Sequence, residues 1–428
     1  GDWSSDVCSS DLDIKRLRGE LSNAKEALEA FDKEKEAAAE AAAAMVKSGM
    51  WIDYGAVLAQ PDVFDAALAK AKADLNGVKI RSCLSTRPRA VLEDDPEARH
   101  FHWLSLHFSG YDRRKHDAGI ATYMPVNLGE IPDYYRRFIP PVDIAVFKVR
   151  PLDKSGHFNL GPANLWHRAV AERAKVVIVE ESEAVPHCHG HENSLHSSEV
   201  DFIITGDDHP LPELPNPPPT DVDRAVARKI MEYIDDGDCL QIGIGGMPNA
   251  VCSLLKDSGK KDLGIHTEML TDGIIDLYRA GLLTCARKQL DPGKIVYSFG
   301  LGSRPLYDAL HENPDFHCCP VDYTNLPQMI MQNRNMVAIN NTTQIDLTGQ
   351  AASESDGLRH ISGTGGQLHA GRRMHRRRRQ RRGEQNGDRQ RHAEQLGRDA
   401  EGGAAGRQRL PHPRSRDGDH RESDIAGQ

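Results

Sequence analysis

No stretch of the 428 residues approaches the roughly 20 consecutive apolar residues that span a bilayer, and the N-terminus has no basic-then-apolar signal pattern. A membrane partner is therefore not expected, and the cytoplasm is the expected compartment. The eight cysteines form no CxxC pair and are too sparse for a disulfide framework, so they read as reduced thiols. Lysine is missing altogether from residues 369–428, as are Phe, Tyr, Trp, Val and Cys. That segment holds 16 Arg against 9 Asp plus Glu, a net +7, so the formal charge of −9 for the chain becomes −16 for everything before it. An acidic body gives no reason to expect a nucleic-acid partner.

What is present is a long alternation of β-prone runs and helical stretches. Residues 1–12 have neither periodicity and look like a translated sequencing adapter, a non-native leader. Residues 13–45 are rich in Lys, Glu and Ala and predict an exposed helix. From 46 to 208, Val78–Leu84, Phe101–Phe108, Val142–Val149, Ala174–Val179 and Glu199–Ile204 read as strands of a largely parallel sheet. Six prolines in the eleven residues 209–219 forbid helix and mark a linker between domains. Thr220 is placed to cap a helix from Asp221 to about Ile234. Strands are then expected at Cys239–Ile244, Leu263–Thr267, Ile295–Phe299, Phe316–Val321 and Met336–Ile339. The fold class is α/β: two open α/β domains with largely parallel sheets, the second, residues 220–368, incomplete. The tail 369–428 cannot bury a core and should be disordered. A basic RNA-binding tail and a plain solvated tail are alternatives, but an out-of-frame product fits the abrupt change best.

Three features suggest a site. Leu263-Gly-Ile-His-Thr-Glu-Met269 seats one carboxylate, Glu268, near a strand end. Gly243-Ile-Gly-Gly-Met-Pro248 lies upstream and Ser362-Gly-Thr-Gly-Gly-Gln367 downstream. Glycine admits close backbone approach to a ligand, and Pro248 suits the first turn of a helix whose N-terminus attracts phosphate or an oxyanion. Alone, Glu268 would read as a surface glutamate and the first loop as a tight turn. A dinucleotide fingerprint is disfavoured, because position 248 is proline where that motif needs glycine.

Taken in order with Thr271-Asp-Gly273, Pro320-Val-Asp-Tyr-Thr-Asn325 and Ile339-Asn-Asn341, these stretches are specific. Residues from roughly Val46 to Leu368 resemble class I CoA-transferases of the acetyl-CoA hydrolase/transferase family. The likeness to butyryl-CoA:acetate and 4-hydroxybutyrate CoA-transferases is strongest. It implies CoA exchange between a short-chain acyl-CoA and a carboxylic acid, with Glu268 as nucleophile, an acyl-glutamyl anhydride and a glutamyl-CoA thioester. Asn325 and Gly366 match positions that donate to the oxyanions. Gly243, Gly245, Gly246, Met247, Pro248, Asn249 and Gly365 match CoA-contacting loops. A carboxylate with an ordinary pKa of about 4.3 would be ionised at neutral pH and need no base. No cofactor beyond CoA as substrate and no metal is implied, and a homo-oligomer is expected.

Where the family continues after the second glycine loop with an aromatic and a glycine-lysine segment, this chain has Leu368-His-Ala-Gly-Arg-Arg. Exposed apolar surface and reduced or absent activity are expected to follow. An acyl-CoA hydrolase and an inactive acyl-CoA-binding fragment are the competing readings. His187-Cys-His-Gly-His191 with His196 invites a zinc site, but the spacing fits no standard pattern and a solvated loop is favoured. Cys318 and Cys319 read as core.

Overall fold

The computed structural model describes residues 20–370, apart from 22, 24, 27, 28, 31, 216 and 217. The adapter-like leader and all of the tail beyond Ala370 lie outside the described residues. The first strand is β1 (Trp51–Ala56), followed by β2 (Val78–Cys83), β3 (Phe101–Ser105), β4 (Ala121–Tyr123) and β5 (Ile144–Val149). A two-strand antiparallel insertion, β6 (His157–Asn159) with β8 (Ser194–His196), brackets β7 (Val176–Glu181), and β9 (Phe202–Thr205) closes the lobe. Seven of these form one parallel sheet in the order β4-β3-β2-β1-β5-β7-β9.

Both faces of this sheet are covered, as all-parallel sheets require. Along β5, Ile144 and Val146 join a core shared with Trp103, Phe64 and the helix at 32–43, while Ala145, Phe147 and Val149 face the other way. That helix is not wholly exposed: its charged side meets solvent, but Ala39, Ala42 and Ala43 are buried. β1, a central strand, is missing from the strands read in the sequence. It carries Asp53, which is buried yet bonded to the Gly55 N–H (2.8 Å), to Tyr135 and to Trp166 Nε1 (3.4 Å), so a polar residue interrupts the apolar run without harm.

The second lobe begins at the predicted cap: Thr220 and Asp223 form a capping box ahead of the helix Asp221–Ile230. Its parallel strands are β10 (Cys239–Ile242), β11 (Gly264–Ile265), β12 (Met269–Leu270), β13 (Ile295–Tyr297), β14 (Phe299–Gly300), β15 (Phe316–Cys318) and β16 (Met336–Ile339). A bridge between His266 and Val296 joins the β16-β10-β11 sheet to the β13-β15 pair. The two lobes share a core: one apolar cluster contains Phe147 and Trp166 from the first and Leu240, Ile274 and Phe299 from the second. Main-chain bonds stitch the seam, including Asn164 N–H to Ser298 O (2.9 Å), Gly300 N–H to Pro162 O (2.8 Å) and Cys318 N–H to His189 O (2.7 Å).

Apolar surface stands open in the second lobe, with Val222, Val226, Ile244, Ile345, Leu347 and Leu358 exposed. Val222 and Val226 of the Asp221 helix are thus at the surface, and the neighbouring Ala227 is buried. His369 and Ala370, the first residues of the expected disordered tail, are buried, and the Ala370 N–H bonds to Gly366 O (3.0 Å) as a helical turn. Ordered packing therefore continues past the change of composition at 368, through Ala370.

The first lobe is pinned by a buried charge cluster. Lys148 on β5 sits opposite Glu180 on β7, and Lys148 also reaches Asp62 and Asp207. Glu180 accepts the N–H groups of Asp62, Val63 and Phe64 at the start of the helix Val63–Lys70, while Asp62 binds Arg87 and Arg89. Burial opposes the Lys148 charge, yet Glu180 and Asp62 outweigh it and raise its pKa. Removing Lys148 leaves the fully buried Glu180 without its cation. Lys148→Met should lower unfolding free energy by about 3–5 kcal/mol, read as a shifted urea midpoint; an unchanged midpoint would show the cluster to be dispensable.

Candidate active site

Parallel strands gather their C-terminal ends on one edge, and ligands of open α/β sheets bind there. The first glycine loop and the acid of the candidate site lie after such strands, whereas the second glycine loop follows a small antiparallel pair, Gln344–Ile345 with Ala351–Ala352. β10 and β11 pair in parallel with Leu240 opposite Ile265, so the first glycine loop and the segment bearing Glu268 leave the sheet at the same edge. Glu268 does not end a strand that runs into a helix; it sits in the break between β11 and β12, and the next helix, Asp272–Arg279, starts later. The break is firmly held. Glu268 O accepts the N–H groups of Ser298 (2.9 Å) and Phe299 (3.1 Å), and the Thr267 N–H bonds to Val296 O (3.0 Å).

The half-buried Glu268 carboxylate meets two donors. Asn325 Nδ2 donates to Oε2 at 2.6 Å, and the Gly366 N–H donates to the same carboxylate. Gly366 has no room for a side chain: an added Cβ would overlap Oε2 and come within 2.5 Å of Asn325 Nδ2. Burial pushes the Glu268 pKa up to about 7, and the two donors lower it only in part. The expectation of an ordinary, fully ionised glutamate is thereby corrected. Desolvation of the charged form wins, because two hydrogen bonds, and no cation among the described residues, replace the lost water.

Gly365 has a left-handed backbone (φ +53°), with the His107 ring 3.5 Å from where its Cβ would lie. The second glycine loop is tied to the first lobe by the Phe108 N–H bonded to Ser362 O (3.1 Å). The first loop is ordered by its own neighbours. Gly245 (φ +114°) precedes the helix Gly246–Lys256, in whose first turn Met247, Pro248 and Asn249 lie, and Asn341 Nδ2 donates to Ile244 O at 2.9 Å. Gln241 and Asn340 exchange amide bonds beside Gly243 (2.7 and 3.1 Å). Asp223 packs against Gly246, so this helix start has a carboxylate neighbour. Of the expected site residues, then, the structure brings Glu268, Asn325 and Gly366 into contact, with Gly365 adjacent; the first loop shares their edge of the sheet.

Other residues of the site went unnoticed in the sequence. His107 packs on Gly363, and burial, with His360 nearby, pushes its pKa down to about 4, so the ring is neutral. Gly129 lies 2.9 Å, by its would-be Cβ, from the Asn325 side chain. Ser298 and Thr324 are buried behind Asn325. Thr324 falls inside the Pro320–Asn325 motif and could have been found there; Ser298 and His107 carry no local signal. Among the described residues no three His, Cys, Asp or Glu side chains converge as a metal would require. Cys188 is buried with its thiol on Pro186 O, and Cys318 and Cys319 are buried.

Residues 21–215 match the acetyl-CoA hydrolase/transferase N-terminal domain, and 302–380 match the C-terminal domain of the same family. The chain belongs to the acetyl-CoA hydrolase/transferase family. Within this family it is 42% identical to the butyryl-CoA:acetate CoA-transferase of Anaerostipes caccae over 77% of this chain and 74% of that protein. It is 38% identical to the 4-hydroxybutyrate coenzyme A transferase of Clostridium kluyveri, over 78% and 77%. The acetyl-CoA hydrolase of Candida glabrata is more distant, 28% identical over 167 residues. The crystal structure of RipA from Yersinia pestis superposes with a TM-score of 0.69 at 34% identity, covering 74% of this chain and 75% of that one. The large parallel sheet is thus the family fold.

The raised pKa of Glu268 makes a stability prediction. The native state holds this proton more tightly than the unfolded chain, so stability falls as pH rises from about 4.5 toward about 7 and is level beyond. Glu268→Gln removes the titration. Its stability relative to the parent should be constant below pH 4.5 and gain on the order of 2–3 kcal/mol by pH 8, measured by urea unfolding; a pH-independent difference would contradict the desolvated carboxylate.

Proposed function

We propose that the chain exchanges CoA between a short-chain acyl-CoA and a carboxylic acid, with Glu268 as the nucleophile. The observation that carries this is the 2.6 Å bond from Asn325 Nδ2 to Glu268 Oε2, with the Gly366 N–H on the same carboxylate. With Asn325 on Oε2, Oε1 attacks the thioester carbonyl. The C–S bond breaks, CoA leaves as thiolate, and an acyl-glutamyl anhydride remains. The thiolate then attacks Glu268 Cδ and expels the first carboxylate, giving the glutamyl-CoA thioester. An acceptor carboxylate attacks the same carbon, the thiolate leaves again, and its attack on the new anhydride releases acyl-CoA and restores Glu268.

Each attack on Cδ drives negative charge onto Oε2. Asn325 Nδ2 already points there and the Gly366 N–H points at the same carboxylate, the arrangement that stabilises an oxyanion without reorganisation at the moment of reaction. The chemistry moves no electrons in net and uses no base beyond the carboxylate itself, so CoA enters as substrate and no other cofactor takes a step. In this scheme the loop Gly243–Asn249 and Gly365 contact CoA, a role that rests on the family likeness and, for the first loop, on the edge of the sheet it shares with Glu268. Acetate and butyrate are the acid class suggested by the relatives' names.

The reading extends to a cytoplasmic homo-oligomer. For the compartment the support is that no disulfide joins the seven described cysteines; the oligomer rests on the family likeness. Family hydrolases set the competing outcome, in which water replaces the acceptor acid.

Incubation with butyryl-CoA should place a CoA adduct on the peptide bearing Glu268, seen by mass spectrometry, and added acetate should discharge it as acetyl-CoA. Glu268→Gln should lose the adduct and reduce transfer by at least about a thousandfold. CoA release that is indifferent to acetate would make the chain a hydrolase. Full transfer by the Glu268→Gln variant would sink the nucleophile.

A further inference from the structure

Behind Asn325 runs a buried chain of hydroxyls whose function is not accounted for by packing. Ser298 Oγ lies 2.5 Å from Thr324 Oγ1, which lies 3.0 Å from Asn325 Oδ1 and 3.3 Å from Val321 O. Asn325 Nδ2 completes the line at Glu268 Oε2, 2.6 Å away. Ser298 and Thr324 are 0% and 2% exposed. Their backbones are fixed too: the Ser298 N–H bonds to Glu268 O, the Asn164 N–H to Ser298 O, and His266 Nε2 lies 2.9 Å from Thr324 O.

An asparagine amide is nearly symmetric in shape, with oxygen and nitrogen differing in what they donate. Either end could face Glu268 as far as volume is concerned. One hydroxyl carries one proton, so the direction of the line matters. If Ser298 donates to Thr324 Oγ1, the Thr324 proton is left for Asn325 Oδ1 at 3.0 Å, the nearer of its two acceptors, with Val321 O at 3.3 Å. That bond holds the oxygen end away from Glu268 and leaves Nδ2 facing the carboxylate. A flipped amide would set an acceptor against Oε2, repelling the ionised acid and accepting from the protonated one. The relay thus selects the ionised, nucleophilic state.

We propose that Ser298 and Thr324 are positioning residues: their hydroxyl relay fixes the Asn325 amide with its nitrogen on Glu268 and so keeps the carboxylate ionised and its oxyanion donor aimed. This rests on Glu268 being the nucleophile. Burial alone pushes Glu268 toward protonation at neutral pH, so the donor's orientation decides how much of the protein is active.

The test compares Ser298→Ala, Thr324→Val and Thr324→Ser with the parent in acyl-CoA:acetate exchange, with melting curves to confirm folding. Thr324→Val should lower kcat by about tenfold or more, leave KM for acyl-CoA within about twofold, and move the acid limb of kcat/KM upward by about one pH unit. Ser298→Ala should show the same pattern more weakly, and it decides the matter if Thr324→Val does not fold. Thr324→Ser should restore both kcat and the limb. Independently of turnover, the infrared band of the protonated Glu268 carboxyl, assigned by its loss in Glu268→Gln, should titrate at higher pH in Thr324→Val. A Thr324→Val protein with parental kcat, limb and titration would overturn the relay, as would Thr324→Ser being as impaired as Thr324→Val. Full activity of Glu268→Gln would instead strike at the nucleophile itself.

Discussion

The constraint on which the site depends is the desolvation of one carboxylate, opposed by only two donors. Glu268 is held with its main chain clamped by Ser298 and Phe299 and its Oε2 against Asn325 Nδ2. Had a lysine or arginine been placed beside it, its pKa would fall and the acid would rest as a stable ion pair. Neutral donors stabilise the charge less. The result is a group poised near neutrality, its pKa at about 7.

Poising it takes both lobes. Asn325 is carried by the short helix after β15, while Gly366 arrives on a loop tethered to the first lobe through Phe108 and packed on His107. Gly129, also from the first lobe, lets the backbone lie against the Asn325 side chain. The main-chain bonds at the seam and the common core hold these pieces in one frame. The buried cluster around Lys148 and Glu180 serves the frame at a distance, since it fixes the β5–β7 pair and the helix that starts at Val63.

Much of this was legible in the sequence because glycines, prolines and caps act locally. Thr220 announces its helix, and Gly366 is glycine because a Cβ has nowhere to go. Ordered motifs found Glu268 and Asn325. What could not be read is set by distance in the chain. The buried Asp53 in β1 is satisfied by the adjacent Gly55 N–H but also by Tyr135 and Trp166, far downstream, so the sequence alone does not show that this polar position belongs to a central strand. Ser298 and Thr324 meet across 26 residues, and the pKa of Glu268 depends on what surrounds it in space. The breakdown of composition at Leu368 was evident, but His369 packs near Glu130 and continues the ordered turn.

A raised pKa has a chemical use in the reaction proposed. The glutamyl carboxylate displaces the CoA thiolate from the acyl carbon in the first step and is displaced by it in the last, and exchange between two leaving groups is easiest when neither is much the better one. An ordinary glutamate at about 4.3 and an ordinary thiol at about 8.5 differ by some four units of basicity. With Glu268 near 7 the gap shrinks to between one and two units, and each unit is about 1.4 kcal/mol. Desolvation therefore brings the anhydride and thioester states closer in free energy, at the cost of leaving part of the protein protonated at neutral pH. A donor that is correctly oriented reduces that protonated fraction without adding a cation that would undo the match. On this view the neutrality of the site, rather than its charge, is what lets one carboxylate serve alternately as nucleophile and leaving group.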